Sequence, residues 1–283
     1  MRLTRKEATA TWIVRLLVLL WSVAVVYPLV WTLFSSLKDN KQFYQNKPWA
    51  LPEIPLQWSN FSYVWTEYHF GGYFLNSIIV TAASTVLALV LSAMTAYVIA
   101  RFPFKGSNVL YFVYISAMMI PLILSLIPLF FLLDSMGLTN NLLGLILVYA
   151  ATSLPFGIFV LTAFYKSLPK EMEEAASIDG SSHAGTFFRI MLPLSKPGLI
   201  TVTIMNILVI WNEYILATVI MNDPTERIYT LPVGIAVMQG EMQYRTEWGP
   251  LFAGLMISMI PVIILYSLFQ RQISSGITAG AVK

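Results

Sequence analysis

An acidic residue, Glu213, lies deep within a long apolar stretch, in the run Trp211-Asn212-Glu213-Tyr214. An ionisable side chain within a membrane-spanning segment is costly and is by default a functional hypothesis. In a continuous helix, Asn206 and Glu213 share one face because they are seven residues apart, and Thr203 and Ala217 extend the stripe. The spacing therefore predicts a polar stripe that faces either a water-filled cavity or another subunit.

Two roles remain open for this stripe. Asn206, Asn212 and Glu213 are candidate residues of a solute pathway, because hydrogen-bonding side chains beside aromatic rings suit a polyhydroxylated solute such as a sugar. Alternatively, Glu213 pairs with a residue of a second membrane subunit and holds the two together. Trp211 and Tyr214 lie partly on other faces of the helix, and we expect them to be packing residues.

Other reactive side chains are sparse in this sequence. The chain has no cysteine, which excludes disulfides, thiolate metal sites and cysteine nucleophiles. The two histidines, His69 and His183, are far apart in sequence and show no metal-ligand spacing. No P-loop pattern is present, so any ATP chemistry has to come from another subunit. We therefore expect neither an enzyme nor a metal site, and no cofactor bound to this chain.

The composition is that of an integral membrane protein. Hydrophobic residues make up 57% of the chain and charged residues 11%, and the mean hydropathy is +0.71. The net charge of +3 suggests basic residues kept on the cytoplasmic side of a membrane, and no nucleic-acid-binding motif accompanies it. A membrane enzyme is disfavoured, and substrate turnover by the purified chain alone would be the contrary evidence.

Six apolar runs of spanning length predict an all-α polytopic protein with a single membrane domain, residues 1–283. Pro121 and Pro128 predict kinks in the third run, and Pro155 predicts a bend in the fourth. The predicted spans are residues 12–34, 74–100, 109–133, 142–164, 199–221 and 251–269. Residues 35–73 predict short interfacial helices with Trp and Tyr at the headgroup level. Residues 222–250 predict a long polar loop, and residues 270–283 a polar tail.

A polar segment from Glu173 to Pro197 separates the fourth and fifth spans. Pro169 suits a first helical position, and the acids at 171, 173 and 174 follow where the helix dipole favours anions. Asp179-Gly180 predicts the end of that helix. Ser181 or Ser182 is expected to cap a second short helix that ends at Pro193. The segment thus predicts two short helices at a membrane surface.

Part of this segment has a long, spaced pattern: Glu174-Ala175-Ala176, three residues, Gly180, nine residues, and Ile190-Met191-Leu192-Pro193. This pattern resembles the EAA loop of ABC importer permeases. In that family the loop is a cytoplasmic coupling helix that docks in a cleft of the ATPase subunit. The resemblance implies a coupling loop at 166–197 and assigns ATPase docking to its signature residues: Glu174, Ala175, Ala176, Gly180, Ile190, Leu192 and Pro193.

The distribution of basic residues gives an independent prediction of orientation. With six spans, both termini lie on one side of the membrane, together with the turn at 101–105 and the 166–197 loop. That side holds 12 of the 17 Lys and Arg residues, and the opposite loops hold five. By the positive-inside rule, both termini and the coupling loop are predicted to be cytoplasmic in a multi-pass protein of the cell membrane.

Further features resemble carbohydrate importer permeases of the maltose-transporter type, specifically the smaller, six-span subunit. These features are the Trp-Asn-Glu-Tyr run, the late coupling loop and the ending from Gly276 to Lys283. The resemblance implies a type I ABC importer fold with alternating access, and a heterodimer with a second permease in membrane lipid. It also implies two ATPase subunits that bind ATP and Mg²⁺, an extracellular solute-binding protein and a carbohydrate substrate. In some relatives the tail reaches the ATPase dimer; a disordered tail is the alternative.

Two alternatives to a carbohydrate importer remain. A permease for another solute, such as a polyamine, phosphate or glycerol-phosphate, would share the EAA loop. A secondary transporter would need its own ion-coupling site, and one deep acid without a matching intramembrane partner disfavours it.

Overall fold

The computed structural model describes residues 5–222, 228–241 and 247–281, and all regular secondary structure in these ranges is helical. A 3₁₀ turn lies at Leu122–Ser125 and a π-helical turn at Phe187–Met191. The α-helices are α1 (Arg5–Ser36), α2 (Asn40–Gln45), α3 (Ser59–Thr66), α4 (Phe70–Arg101), α5 (Ser107–Ala117), α6 (Leu126–Ser135), α7 (Leu142–Ser167), α8 (Glu171–Ile178), α9 (His183–Thr186), α10 (Leu192–Leu194), α11 (Lys196–Asn212), α12 (Ile215–Ile220), α13 (Leu231–Glu241) and α14 (Trp248–Ala281).

Four of these helices are long and apolar enough to cross a membrane. They are Thr11–Ser36 within α1, all of α4, all of α7, and Trp248–Gln270 within α14. Two bent helix pairs raise the number in the described ranges to six if each pair is one span. The pairs are Ser107–Ala117 with Leu122–Ser135, and His183–Leu194 with Lys196–Asn212. The predicted all-α fold is confirmed, and the count agrees with six spans.

The chain divides into two compact units: Met1–Phe70 with Ile235–Ile260, and Gly71–Gly234 with Pro261–Lys283. In the first unit, every residue from 12 to 30 is exposed, so α1 presents its apolar surface outward. The short helices predicted in residues 35–73 are present as α2 and α3. Asn60 holds α3 near the end of α1, because its Nδ2 donates to the carbonyls of Ser36 and Lys38 at 2.8 and 3.0 Å.

The second unit is built around α4, α7 and α11. Gly157 of α7 lies against Ser92 of α4 so closely that a Cβ at Gly157 would be 2.4 Å from Ser92 Oγ and 3.5 Å from a Val202 methyl of α11. Small residues permit such backbone approach between membrane helices, as the Ala- and Ser-rich sequence of α4 predicts. The three helices therefore form the packed centre of this unit.

The third predicted span is broken rather than kinked. Helix α5 ends at Ala117, and the two halves of the span are bent by 94°. Pro121 has extended backbone (φ −60°, ψ 120°) and precedes the 3₁₀ turn. The kink predicted at Pro128 is wrong, because this proline lies in the first turn of α6, where its missing N–H has no intrahelical partner to lose.

Three further sequence predictions need correction. The fifth span is not one helix over 199–221, because α11 ends at Asn212 and α12 begins at Ile215. The predicted polar loop at 222–250 contains α13. Its first residue, Leu231, is fully buried, and the Leu231 N–H donates to Ser77 Oγ at 2.8 Å. The predicted tail at 270–283 continues α14 as helix to Ala281; Val282 and Lys283 lie outside the described residues.

Candidate functional site

Both ends of the short helix α8 carry residues that are typical of a helix start and a helix end. It begins at Glu171, two residues later than Pro169, and three acids occupy its first turn. It ends before Gly180, which has a φ of +78°, and the Ser181 N–H donates to the Ala176 carbonyl at 2.9 Å. Glycine adopts this left-handed conformation with little strain. The predicted stop at Asp179-Gly180 is therefore confirmed.

The second short helix begins at the predicted cap and runs further than predicted. Ser182 Oγ accepts the Gly185 N–H at 3.2 Å, which identifies Ser182 as the capping serine. Helical backbone continues through Pro193 to Leu194. The π turn before it shifts the hydrogen bonding by one residue, since the Leu192 N–H donates to the Phe187 carbonyl. The predicted end at Pro193 is thus wrong by one residue, and Ser195 then separates this helix from α11.

The inner face of α8 is fixed to the last turn of α4. Tyr97 OH donates to Glu173 Oε1 at 2.8 Å, and Arg101 Nε lies 3.2 Å from Glu173 Oε2. Arg101 also donates to the Leu168 carbonyl at 2.7 Å, just before α8. The sequence analysis did not identify these three side chains as a group; the available signals were an acid in the first turn of α8 and a base at the end of α4.

A hydrophobic cluster continues this attachment into the membrane helices. The Tyr97 ring lies 5.6 Å from that of Tyr165 on α7 and 5.0 Å from that of Phe187 in the π turn. Ser195 Oγ bonds with Tyr165 OH at 3.2 Å. The buried members of the cluster are Ala93, Ala96, Tyr97, Leu161, Tyr165, Phe187, Met191 and Val202. Both short helices are consequently integral parts of the α4, α7 and α11 packing.

The structure separates the predicted docking residues into two groups. Ala176 is buried, and Ile190 and Leu192 pack against the hydrophobic cluster, so these three side chains face inward. The exposed members are Glu174, Ala175, Gly180 and Pro193. Burial of Ala176 indicates that its small side chain serves packing within this chain.

The exposed side of α8 carries a residue that the sequence analysis did not single out. Ile178 is 87% exposed. Residues 171, 174, 175 and 178 are spaced i, i+3, i+4 and i+7, so they lie on one helical face. We call this the α8 outer face: Glu171, Glu174, Ala175 and Ile178, all exposed. One apolar side chain beside two carboxylates suits a partner surface with an apolar pocket and a basic rim.

The second candidate site lies where the fifth span breaks, at Glu213 and Tyr214. Glu213 has extended backbone (φ −74°, ψ 130°). Its carboxylate accepts the backbone N–H of Leu216 at 2.8 Å and that of Ala217 at 3.3 Å, which caps α12. Tyr149 OH on α7 donates to the same carboxylate. Glu213 is therefore bound within its own chain and fixes the start of α12 against α7.

The break removes the predicted polar stripe. Asn206 is buried in α11, and its Nδ2 has no hydrogen-bond partner among the described residues. Asn212 is exposed and donates to the Leu208 carbonyl at 2.7 Å. Ala217, predicted to extend the stripe, is fully buried. Asn212 and Glu213 therefore lie at the break, whereas Asn206 lies on a different, internal face of α11.

The two aromatic residues beside Glu213 differ in environment. Trp211 is buried, and its ring lies 5.8 Å from that of Phe74 on α4, as predicted for a packing residue. Tyr214 is 49% exposed, so about half of its surface is not covered by this chain. Within the described ranges, no group of three or more His, Cys, Asp or Glu residues is placed to hold a metal ion.

Comparison with known proteins identifies relatives over nearly the whole chain. Residues 88–279 match the family described as binding-protein-dependent transport system inner membrane component. The diacetylchitobiose uptake system permease protein NgcG of Streptomyces coelicolor is 39% identical, over 93% of this chain and 86% of that protein. The trehalose/maltose transport system permease protein MalG of Thermococcus litoralis is 33% identical, over 94% of each chain.

A solved structure with the same fold supports the helical arrangement. One chain from the crystal structure of a bacterial ABC transporter involved in the import of the acidic polysaccharide alginate matches with a TM-score of 0.82. The match covers 96% of this chain and 99% of that chain, at 23% sequence identity. At this identity the likeness concerns the fold.

Proposed function

Because this chain belongs to the family of binding-protein-dependent transport system inner membrane components, we propose that the solute it helps to move is a sugar or an oligosaccharide. The chain is a membrane-embedded permease subunit, a transport component rather than an enzyme. The proposal is supported by the names of two relatives, which specify diacetylchitobiose and trehalose or maltose. Both relatives align over more than nine-tenths of this chain.

The proposed assembly contains a second permease, two ATPase subunits and an extracellular solute-binding protein. ATP and Mg²⁺ are proposed to bind the ATPase subunits. The proposed orientation places both termini and α8 in the cytoplasm, because 12 of the 17 Lys and Arg residues lie on that side. This orientation puts the α8 outer face within reach of an ATPase subunit.

The α8 outer face is the proposed docking surface for the ATPase. Ile178, with 87% of its surface exposed, fits an apolar cleft. Glu174 supplies a carboxylate that can form an ion pair with a basic residue of the partner. Ala175 permits close approach between the two helical surfaces. The inward-facing signature residues Ala176, Ile190 and Leu192 support this surface from within, and Gly180 permits the turn that ends it.

The attachment of α8 suits transmission of a rigid-body movement. Glu173 is bound by Tyr97 and Arg101 of α4, and Phe187 and Met191 are buried against α4 and α7. Packed interfaces move between discrete arrangements rather than deforming continuously. We infer that closure of the ATPase dimer displaces α8 and, with it, the membrane helices, which alternates access to the solute.

The experiment that tests the substrate class is ATP hydrolysis and solute uptake by the whole complex. The complex would be purified through a tag on this chain and reconstituted in liposomes with its binding protein. Diacetylchitobiose, trehalose and maltose would be compared with glycerol-phosphate, a polyamine and phosphate. Stimulation and uptake with a sugar support the proposal. Stimulation by a non-sugar alone overturns the carbohydrate assignment and leaves the permease assignment intact.

A further inference from the structure

Polar side chains are exposed around the break in the fifth span. Asn212 and Thr218 are exposed, and Tyr214 is 49% exposed between them. Polar groups that face lipid at this depth are expensive, because the hydrocarbon offers no hydrogen-bond partners. This exposed polar set therefore faces either water or another protein surface. We call Asn212, Tyr214 and Thr218 the break face.

The depth of the break places this face inside the membrane. Helix α11 starts beside the short helices at Lys196 and has 17 residues before the break. At ~1.5 Å per residue it rises about 25 Å, whereas the hydrocarbon core is about 30 Å thick. The break thus lies within the membrane and nearer the end away from α8, where irregular backbone is tolerated only beside a cavity or within protein.

Backbone carbonyls around the break accept hydrogen bonds from groups of this chain. A helix that ends leaves its last carbonyls without the usual donors four residues later. Here the Glu213 N–H turns back to the Ile210 carbonyl at 3.2 Å. Thr218 Oγ1 donates to the Tyr214 carbonyl at 2.7 Å, so its oxygen lone pairs remain as acceptors. The side-chain amide, phenol and hydroxyl groups of the break face lie within a few residues of one another.

We propose that the break face is a solute-contacting surface of this chain and recognises sugar hydroxyls and a sugar ring face. Asn212 supplies amide donors and an acceptor, and Tyr214 supplies both a hydroxyl and a flat apolar ring. Glu213 and Tyr149 are positioning residues, because the carboxylate is already occupied by Tyr149 OH and by the N–H groups of α12. The inference rests on the proposed function and names the residues that would determine its specificity.

The test uses the complete complex and a sugar that the wild-type complex transports. Asn212→Ala and Tyr214→Ala are each expected to lower the number of sugars moved per ATP hydrolysed about fivefold, the effect of losing about one hydrogen bond. ATP hydrolysis without sugar and the subunit composition of the purified complex should not change. Val209→Ala is the matched control, because Val209 lies on the same helix and is 66% exposed.

A direct measurement identifies what touches the break face. A diazirine-bearing derivative of the transported oligosaccharide, photolysed in the working complex, should label the peptide that contains residues 209–218. Labelling only elsewhere overturns the proposal, as does sugar transport by both variants at the wild-type ratio. Loss of the second permease from the variant complexes would show that the face is a subunit interface and would also overturn it. Absence of sugar transport by the wild-type complex would instead refute the proposed function.

Discussion

Arg101 Nε lies 3.2 Å from Glu173 Oε2, and this ion pair joins the last residue of α4 to the first turn of α8. The Arg101 side chain is 5% exposed and that of Glu173 is 22% exposed. Tyr97 OH reinforces the pair from one turn earlier on α4. The small helix proposed to receive the ATPase movement is thus bound directly to a membrane-spanning helix.

Replacement of Arg101 should weaken this attachment. Arg101→Met leaves the Glu173 carboxylate with Tyr97 alone and removes the bond to the Leu168 carbonyl, at a cost of about 1–3 kcal/mol. We expect a lower Tm of the purified complex and less solute moved per ATP hydrolysed. Arg101→Lys, which keeps the charge, should retain part of both properties. Equal coupling ratios for the wild type and the Met variant would contradict the mechanical role of the pair.

Charge placed on the α8 outer face should uncouple the transporter. Ile178→Asp puts a carboxylate where an apolar contact is proposed, and Glu174→Lys reverses the charge beside it. Both variants should insert into the membrane normally, yet ATPase subunits should co-purify in reduced amount and transport should fall about tenfold or more. Ser177→Ala is the control, since Ser177 is exposed but lies off this face. Full transport by both charged variants would refute docking here.

A side chain at Gly180 tests the turn that follows α8. Its φ of +78° disfavours any residue with a Cβ, although no atom lies within 4 Å of the position a Cβ would take. Gly180→Ala should therefore cost about 1–2 kcal/mol through backbone strain alone, and Gly180→Asn should cost less. Gly180→Asp adds a charge and should also disturb coupling. A Tm for Gly180→Ala equal to that of the wild type would argue against the strain.

The contact between α4 and α7 at Gly157 should tolerate no larger residue. A Cβ there would be 2.4 Å from Ser92 Oγ and 2.7 Å from Ser92 Cβ. Gly157→Ala should force the helices apart and destabilise the protein by about 1–3 kcal/mol. The double variant Gly157→Ala with Ser92→Gly should recover most of the Tm. Gly72→Ala, with nothing within 4 Å of its added Cβ, serves as a control expected to change little.

Removal of the Tyr149 hydroxyl should loosen the break in the fifth span. Tyr149→Phe takes one donor from the partly buried Glu213 carboxylate, which should cost about 1–3 kcal/mol. The expected results are a lower Tm and faster proteolysis or hydrogen exchange at residues 213–220. Tyr266→Phe should change neither quantity, since Tyr266 is 57% exposed. Protection of α12 that is unaffected by Tyr149→Phe would contradict the positioning role.

The end of α8 and the start of α9 were predictable because local chemistry determines them. Ser182 accepts an N–H of its own helix, and Gly180 takes the left-handed conformation that glycine alone adopts freely. The break at Glu213 was not predictable in this way, since no proline or glycine marks it. Its stabilising donors come from Tyr149, on a helix that is remote in sequence, and from α12 beyond the break.

By itself, the sequence determined the membrane class, the all-α fold and the polar segment between the fourth and fifth spans. These properties follow from the length of the apolar runs and from local capping. Only the tertiary structure decided which residues of α8 face outward, because burial of Ala176 and exposure of Ile178 depend on how α8 lies against α4. It also assigned Glu213 to its own chain, because a partly buried carboxylate is bound by whichever donors folding brings to it.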